Sequence, residues 1–260
     1  VDYFPTRKFK MTIDKKAVLA NGAVPQELAD SIVDAMEWTM SGYGVQKNHL
    51  MVLDLIAHNN WKRPIYFSIT TGNDAYVNLE KYFQLEGLAY RLLPLKNIGA
   101  DGQTGGINTR IMYDNLMNKF KWGNMNDTNV YMDETNMRMT MNFRNNFSRL
   151  ATALILEGKK DSAIKALDKC MEVMPESAVP FNYFVLPIAD AYYKAGDTIK
   201  GDKIVKRLII LYEQNLKYFF AFDADFAKEI KDRKEQSLAV MNRIAMIVKA
   251  DGRDTLAKQA

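Results

Sequence analysis

One cysteine, Cys170, and two histidines, His49 and His58, are all that the 260-residue chain holds of the two side chains most used in metal sites. A lone cysteine excludes an internal disulfide framework and leaves the redox compartment open. The histidines stand nine residues apart on an apolar stretch, with no HExxH motif and no Cys/His cluster around them. Metal sites need several converging ligands, so both are expected to be structural, and neither a metal nor another cofactor is expected. Long hydrophobic runs are missing too. LIIL (208–211) and YFFAF (218–222) fall far short of the roughly 20 apolar residues that cross a bilayer, so direct membrane insertion by these residues is not expected. Excess charge of one sign is also absent: residues 1–143 carry 15 basic and 15 acidic side chains, and residues 144–260 carry 20 and 16. Basic residues alternate with acids as on solvated helices, and no basic stripe is interleaved with aromatics, which argues against nucleic acid as a partner.

What is present suffices for real cores. At 48% hydrophobic and 25% charged residues, the chain can fill one large domain or two ordinary ones. It shows no basic-then-apolar leader and starts at Val1 rather than Met, within a VDYFP segment, and so reads as a piece of a longer polypeptide or a processed product.

The back region carries a repeat. Phe147, Leu150–Ala151, Leu154, Gly158, Ala163, Leu167, Cys170 and Pro175 follow the order of a tetratricopeptide unit. Phe147, Leu150 and Leu154 would share one helical face. Ala151 would admit a close partner helix, Gly158 would make the turn, Ala163 and Leu167 would face back, and Pro175 would end the second helix. The pattern returns at Val185, Ile188–Ala189, Tyr192, Gly196 and at Met241, Ile244–Ala245, Val248, Gly252, Ala257. Its spacings of 38 and 56 residues exceed the 34-residue unit, so the array is irregular, and Gly201 stands where the first unit has Ala163. Units are expected over about 144–177, 182–215 and 238–260.

The front region, 1–143, reads as mixed α/β. KFKMTID (8–14) alternates like a strand, and PQELADSIVDAMEWTM (25–40) reads as an amphipathic helix with Pro25 in its first turn. HLMVLDLIAH (49–58) reads as a mostly buried helix and IYFSIT (65–70) as a strand. Next come a helix over 79–87, a short strand at 89–95, the glycine-rich loop NIGADGQTGG (97–106), a helix at 109–120 and an irregular polar stretch at 122–136. The expected class is therefore α+β: a small mixed α/β domain over 1–143, then an all-α tetratricopeptide-like array of helical hairpins over 144–260.

Catalytic chemistry has little to stand on. No G-x-S-x-G elbow occurs, and the glycine-rich loop lacks the Lys–Ser/Thr ending of a P-loop, so it is expected to be a turn. Asp133 and Glu134 are adjacent, which does not aim two carboxylates into one space. In HNNWKRPIYF (58–67), Pro64 forces Arg63 out of helical geometry, so the preceding helix must end near Asn59 or Asn60. Trp61 then caps the corner, the two asparagines tie down backbone groups, and Lys62 and Arg63 are left to meet an anion or another domain. These five residues, Asn59, Asn60, Trp61, Lys62 and Arg63, are the candidate binding or domain contact. No catalytic residue is assigned.

The blocks NNWKRPIYF (59–67), LEKYFQLEGLAYRLLP (79–94), NLMNKFKWGN (115–124) and YMDE (131–134) carry a family likeness. With the repeats, they resemble the C-terminal soluble region of a bacterial family of multi-pass membrane proteins designated protein O-mannosyltransferase-like. The resemblance implies an accessory domain on the extracytoplasmic face, tethered by its parent chain. Its partners would be the parent's membrane-embedded part and a polypeptide acceptor, and none of the parent's catalytic residues matches a position here. Asp161-Ser-Ala, Asp197-Thr-Ile, Asp254-Thr-Leu and Asp30-Ser-Ile also resemble a short bacterial O-glycosylation acceptor pattern; since three of them follow a repeat's glycine turn, helix capping is the expected role. A freestanding protein–protein scaffold is the alternative function. A carbohydrate-active enzyme using Asp133, Glu134 and Glu86 is the second.

Overall fold

The structure, a computed structural model, describes residues 6–41, 44–97, 99–222 and 228–260, so the opening VDYFP lies outside the described residues. Its backbone is mixed α/β, with small sheets in the front region and a C-terminal array of helices. Two compact units divide between Asn118 and Lys119, whereas the sequence suggests 143/144. The irregular stretch 120–133 goes with the helices: Trp122 packs against Phe143 at 6.0 Å and Phe147 at 5.2 Å between ring centroids.

In the first unit, β1 (Lys8–Thr12) pairs antiparallel with β2 (Ala35–Thr39), matching Phe9 to Trp38 and Met11 to Met36. Phe9 and Trp38 stack at 5.6 Å, while Lys8, Lys10, Glu37 and Thr39 face outward. The sequence suggests one helix over 25–40. The chain instead makes a short 3-10 turn, Gln26–Ser31, and then β2. Met36, Trp38 and Met40 are buried at every second position, and that period of two outweighs the helical spacing before it. Helix α1 (Lys15–Ala20) follows β1. It forms because Asp14 Oδ1 accepts from the N–H of Lys16 at 3.0 Å and of Ala17 at 3.1 Å.

Helix α2 (Lys47–Asn59) buries only His49 and Ile56. Leu50, Met51 and Leu55 are 42, 67 and 55% exposed, so the expectation of a mostly buried helix is corrected. A second sheet runs β3–β5–β4–β6, from β3 (Tyr66–Ser68), β4 (Phe83–Leu85), β5 (Ala89–Leu92) and β6 (Gly106–Ile107), with only β4–β6 parallel. Alternation gives it two unlike faces. Phe67, Phe83, Leu85, Tyr90 and Leu92 share one; Tyr66, Arg91 and Gln84 form a row on the other. Phe67, Phe83 and Tyr90 cluster with Tyr76 at centroid distances of 4.8 to 6.0 Å.

The helix expected over 79–87 is instead a 3-10 turn, Glu80–Tyr82, running into β4. Tyr82 explains the substitution. Its hydroxyl accepts from Glu37 N–H at 2.8 Å and donates to Glu37 O at 3.2 Å, pinning the turn to β2. Helix α3 (Thr109–Asp114) is capped by Asn108 and continues as a π-helical turn, Asn115–Lys119.

The second unit is α4 (Glu134–Leu156), α5 (Lys160–Val173), α6 (Leu186–Ala195), α7 (Thr198–Phe220), α8 (Lys231–Ala250) and α9 (Asp254–Ala257). Each helix packs on the next, and α4 also meets α6. Phe147, Leu150, Ala151 and Leu154 of α4 are buried, as are Ala163 and Leu167 of α5, Ile188, Ala189 and Tyr192 of α6, and Ile244 and Val248 of α8; Ala245 and Ala257 are half-buried. Pro175 follows the end of α5. Gly158, Gly196 and Gly252 close the α4–α5, α6–α7 and α8–α9 turns with φ of 76°, 99° and 73°. Gly201 has a packing reason: a Cβ there would meet the Tyr193 ring at 2.6 Å.

Capping by the three Asp-Ser/Thr-aliphatic triplets that follow a glycine turn holds at one of them. Asp197 Oδ1 accepts from Lys200 N–H at 3.1 Å. Asp161 and Asp254 sit in the first turns of α5 and α9, where they favour the helix dipole without capping it, and Asp30 lies in the first unit's 3-10 turn. Among the described residues, no helix is long and apolar enough to cross a membrane.

Candidate functional site

The corner HNNWKRPIYF is tied by its own asparagine. Asn59 Nδ2 donates to Arg63 O at 2.7 Å, and Asn59 Oδ1 accepts from Arg63 N–H at 3.2 Å. Asn21 Nδ2 donates to Asn60 O at 3.1 Å. Asn60 and Trp61 both have positive φ, 43° and 60°, a conformation that bulky side chains rarely adopt. Trp61 is half-buried against the unit's core. Lys62 and Arg63 are exposed, and their charged ends meet no carboxylate among the described residues.

The three carboxylates weighed for catalysis are each engaged locally. Asp133 caps α4 by accepting from Asn136 N–H at 2.7 Å, and Glu134 pairs with Arg138 at 3.4 Å. Glu86 belongs to the other unit and is 5% exposed. Tyr66 Oη donates to its Oε2 at 2.6 Å, Gln84 Nε2 to its Oε1 at 2.8 Å, and Arg91 Nη1 approaches Oε1 at 3.5 Å. Burial, aided by Glu86, pushes the Tyr66 hydroxyl up to about 12.

Both histidines lie on α2. His49 Nδ1 accepts from Gln46 N–H at 3.3 Å in a capping box, and His58 Nδ1 sits 3.1 Å from Asp54 Oδ1. No three His, Cys, Asp or Glu side chains gather as a metal would require among the described residues. The glycine-rich loop feeds Gly106 into β6, where a Cβ would fall 2.1 Å from Asn97 Oδ1. That glycine is therefore needed for close packing.

A site with room for a ligand lies in the second unit. A groove of about 690 Å³ runs between α5, the α5–α6 connection and α7, with Tyr192 of α6 among its lining residues. Met171, Phe181 and Ile204 supply apolar lining. Asp168, Glu172 and Glu176 come from the α5 side, and Lys200, Lys203 and Arg207 from α7. Two ties cross it. Lys200 Nζ lies 2.8 Å from Asp168 Oδ1, and Arg207 Nε lies 2.5 Å from Glu176 Oε1. Tyr192 Oη donates to Asp168 Oδ1 at 2.8 Å, and burial raises its hydroxyl far above the ordinary range. Hydrogen bonding to Asp168 and Asp197 raises Lys200 against a smaller opposing effect of burial. Glu172 pairs with Lys169 at 3.0 Å, which leaves Lys203 as the lining cation without a carboxylate partner among the described residues.

Arg144 holds one end of this groove in shape. It is fully buried on α4 and donates to Pro180 O at 3.0 Å, Met174 O at 3.1 Å and Val179 O at 2.6 Å. Its guanidinium carbon lies 5.5 Å from the Phe181 ring centroid, so it fixes the α5–α6 connection that carries Pro175, Glu176 and Phe181. Burial lowers its pKa, yet the guanidinium stays charged. Sequence reasoning missed Arg144, because nothing in an arginine's neighbourhood along the chain announces three carbonyls 30 to 36 residues away. The charged walls did leave a signal: Asp168, Glu172 and Glu176 recur every four residues, and Lys200, Lys203 and Arg207 share one helical face.

The first unit is thus a small two-sheet α/β domain with a buried Glu86 network, and the second a helical array with a charged-walled groove. Residues 1–111 are similar to the family described as TMEM260-associated domain 2. The match ends within α3, close to the limit of the first unit, and leaves out the helical array. No curated protein and no solved structure matches the chain.

Proposed function

We propose that this chain is a non-catalytic accessory region of a membrane glycosyltransferase-like protein, in which the helical array positions a polypeptide. The observation that carries the reading is the match of residues 1–111 to a domain whose name ties it to a membrane protein. Likeness of the blocks at 59–67, 79–94, 115–124 and 131–134 to the O-mannosyltransferase-like family supports the glycosyltransferase context and an extracytoplasmic location. Engagement of Asp133, Glu134 and Glu86 in a cap, a surface ion pair and a buried network supports a supporting rather than a catalytic role. Buried repeat positions and three left-handed glycine turns support a tetratricopeptide-like array, and its groove suits an extended segment.

Deleting residues 1–260 from the membrane protein that carries them should abolish or misdirect glycosylation of its acceptors, while the isolated chain turns over no sugar donor. Unimpaired glycosylation after the deletion would sink the reading. One observation favours a second: the groove lies wholly in the array, outside the matched residues. A protein–protein scaffold would need only that array, and pull-down of partners by residues 119–260, abolished by Ile204→Glu, would select it.

A further inference from the structure

The first unit is electrically neutral in composition, yet four lysines converge on one side of it. Lys8 and Lys10 stand on the outward face of β1, opposite Thr39 and Glu37 of β2. Lys81 lies beside them. Its ammonium sits 5.2 Å from the Tyr82 ring, whose hydroxyl is bonded to the Glu37 backbone. Lys96 comes next, because Asn97 N–H donates to Lys81 O at 2.8 Å. All four are exposed, and Lys8, Lys10, Glu37, Thr39 and Lys81 line a cleft of about 420 Å³.

Glu37 is the only carboxylate lining that cleft among the described residues, and Lys10 Nζ already pairs with it at 3.0 Å. Hydrogen bonding to Lys10 holds the Glu37 carboxyl below its usual range, with Lys81 and Lys96 adding to the effect. Among the described residues, four cations against one anion leave a local surplus at this cleft. Ammonium groups on flexible stems suit a compact, multiply charged anion approached from several sides, with the Thr39 hydroxyl as a neighbouring hydrogen-bond donor.

We propose that the cleft lined by Lys8, Lys10, Thr39 and Lys81, with Lys96 beside it, binds a phosphate group, carried by a lipid headgroup or by a free phosphate compound. The preference for the lipid source rests on the membrane-protein reading above; the site itself does not. A lysine near an anionic bilayer contributes about a fivefold gain in binding, and the attraction is screened by salt.

The test is co-sedimentation of the whole 260-residue chain with vesicles of phosphatidylcholine alone and of phosphatidylcholine with phosphatidylglycerol, alongside calorimetric titration with pyrophosphate. Binding to the anionic vesicles should fall about fivefold for each of Lys8→Gln, Lys10→Gln, Lys81→Gln and Lys96→Gln. It should drop to the neutral-vesicle level in the quadruple variant, and rise several-fold in Glu37→Gln. The lysines are exposed, so circular dichroism should show every variant folded. The same order of variants with pyrophosphate, without vesicle binding, assigns the site to a free phosphate compound. Vesicle binding unchanged in the quadruple variant overturns the proposal, as does binding of neither probe. Displacement of both probes by polyglutamate at equal charge concentration overturns the choice of phosphate. None of these readouts depends on glycosylation by a parent protein, so the site and the accessory role fail separately.

Discussion

The two units bury a charge in opposite ways. In the first, Glu86 is surrounded by side chains: Tyr66 and Gln84 donate to it and Arg91 lies 3.5 Å away, so a countercharge is present. In the second, Arg144 has no carboxylate bonded to it among the described residues and donates to the carbonyls of Met174, Val179 and Pro180. A side-chain network joins residues on three strands, whereas a cation on carbonyls fastens a connection that has no regular structure of its own. Buried charge thus orders a sheet face in one unit and the end of a groove in the other.

The largest expected effect on this contrast comes from alkali. Burial pushes the Cys170 thiol from 9.0 up to about 12, and raises Tyr192 and Tyr193 further still. In the first unit, Tyr66 and Tyr76 rise from 10.0 to about 12. All hold their protons more tightly folded than unfolded. Their contribution to stability is therefore complete below their ordinary values and is lost as pH climbs toward the folded ones. Because the thiol begins to ionise first in the unfolded chain, the helical array should weaken from about pH 9, before the first unit. Thermal melts at rising pH should show helical ellipticity lost ahead of the Trp38 and Trp61 fluorescence change. The reverse order would break the comparison.

Arg144→Ala comes next. It leaves three carbonyls in a dry interior without donors and should cost about 3–5 kcal/mol, read from urea unfolding followed at 222 nm. Glu86→Gln keeps an acceptor for Tyr66 or Gln84 and loses mainly the charge, so about 1–3 kcal/mol is expected from the first unit. No loss in Glu86→Gln would mean that the countercharge beside Glu86 contributes nothing.

The same contrast explains what could be read in the sequence. The array is built from bonds four residues apart and faces repeating every turn, so Phe147, Leu150, Leu154 and the glycine turns were visible as a pattern. The first unit is built from pairings between distant residues. Phe9 meets Trp38, Ile32 bridges Leu95, and Tyr82 bonds to Glu37. Residues 25–40 and 79–87 contain helix-like spacings, and pairing with distant partners holds Ala35–Thr39 and Phe83–Leu85 extended within them. The corner at 59–63 was legible because Pro64 and Asn59 act locally. The lysine cleft was not, since positions 8, 10, 81 and 96 meet only in the fold, and a neutral composition concealed their surplus. Charge stripes on α5 and α7 could have been found by the same periodicity that revealed the apolar face.

Glycine usage sharpens the comparison at smaller scale. Gly201→Ala should add helix propensity to α7 but drive a methyl into the Tyr193 ring, itself held by its hydroxyl's bond to Asp202 Oδ1 at 3.0 Å. A net loss of about 1–2 kcal/mol is expected, and a gain would show that α6 and α7 can separate freely.

The smallest effect tests left-handed backbone at the end of a helix, which the array's turns give to glycine and the end of α2 does not. Gly158, Gly196 and Gly252 make the array's turns, but Asn60 and Trp61 adopt positive φ at the end of α2 with side chains in place. Asn60 is the milder case, because asparagine tolerates this region better than most residues, and its side chain makes no hydrogen bond among the described residues; Asn21 reaches its carbonyl. Asn60→Gly should therefore preserve the corner and raise stability by a few tenths of a kcal/mol, whereas Asn60→Ala should lower it by about 1 kcal/mol. Both are measurable as shifts in the Trp61 fluorescence midpoint on urea unfolding. If alanine were as stable as glycine, the corner would not need its left-handed residue. Strain at Trp61 would then have to be relieved by the packing of its indole alone.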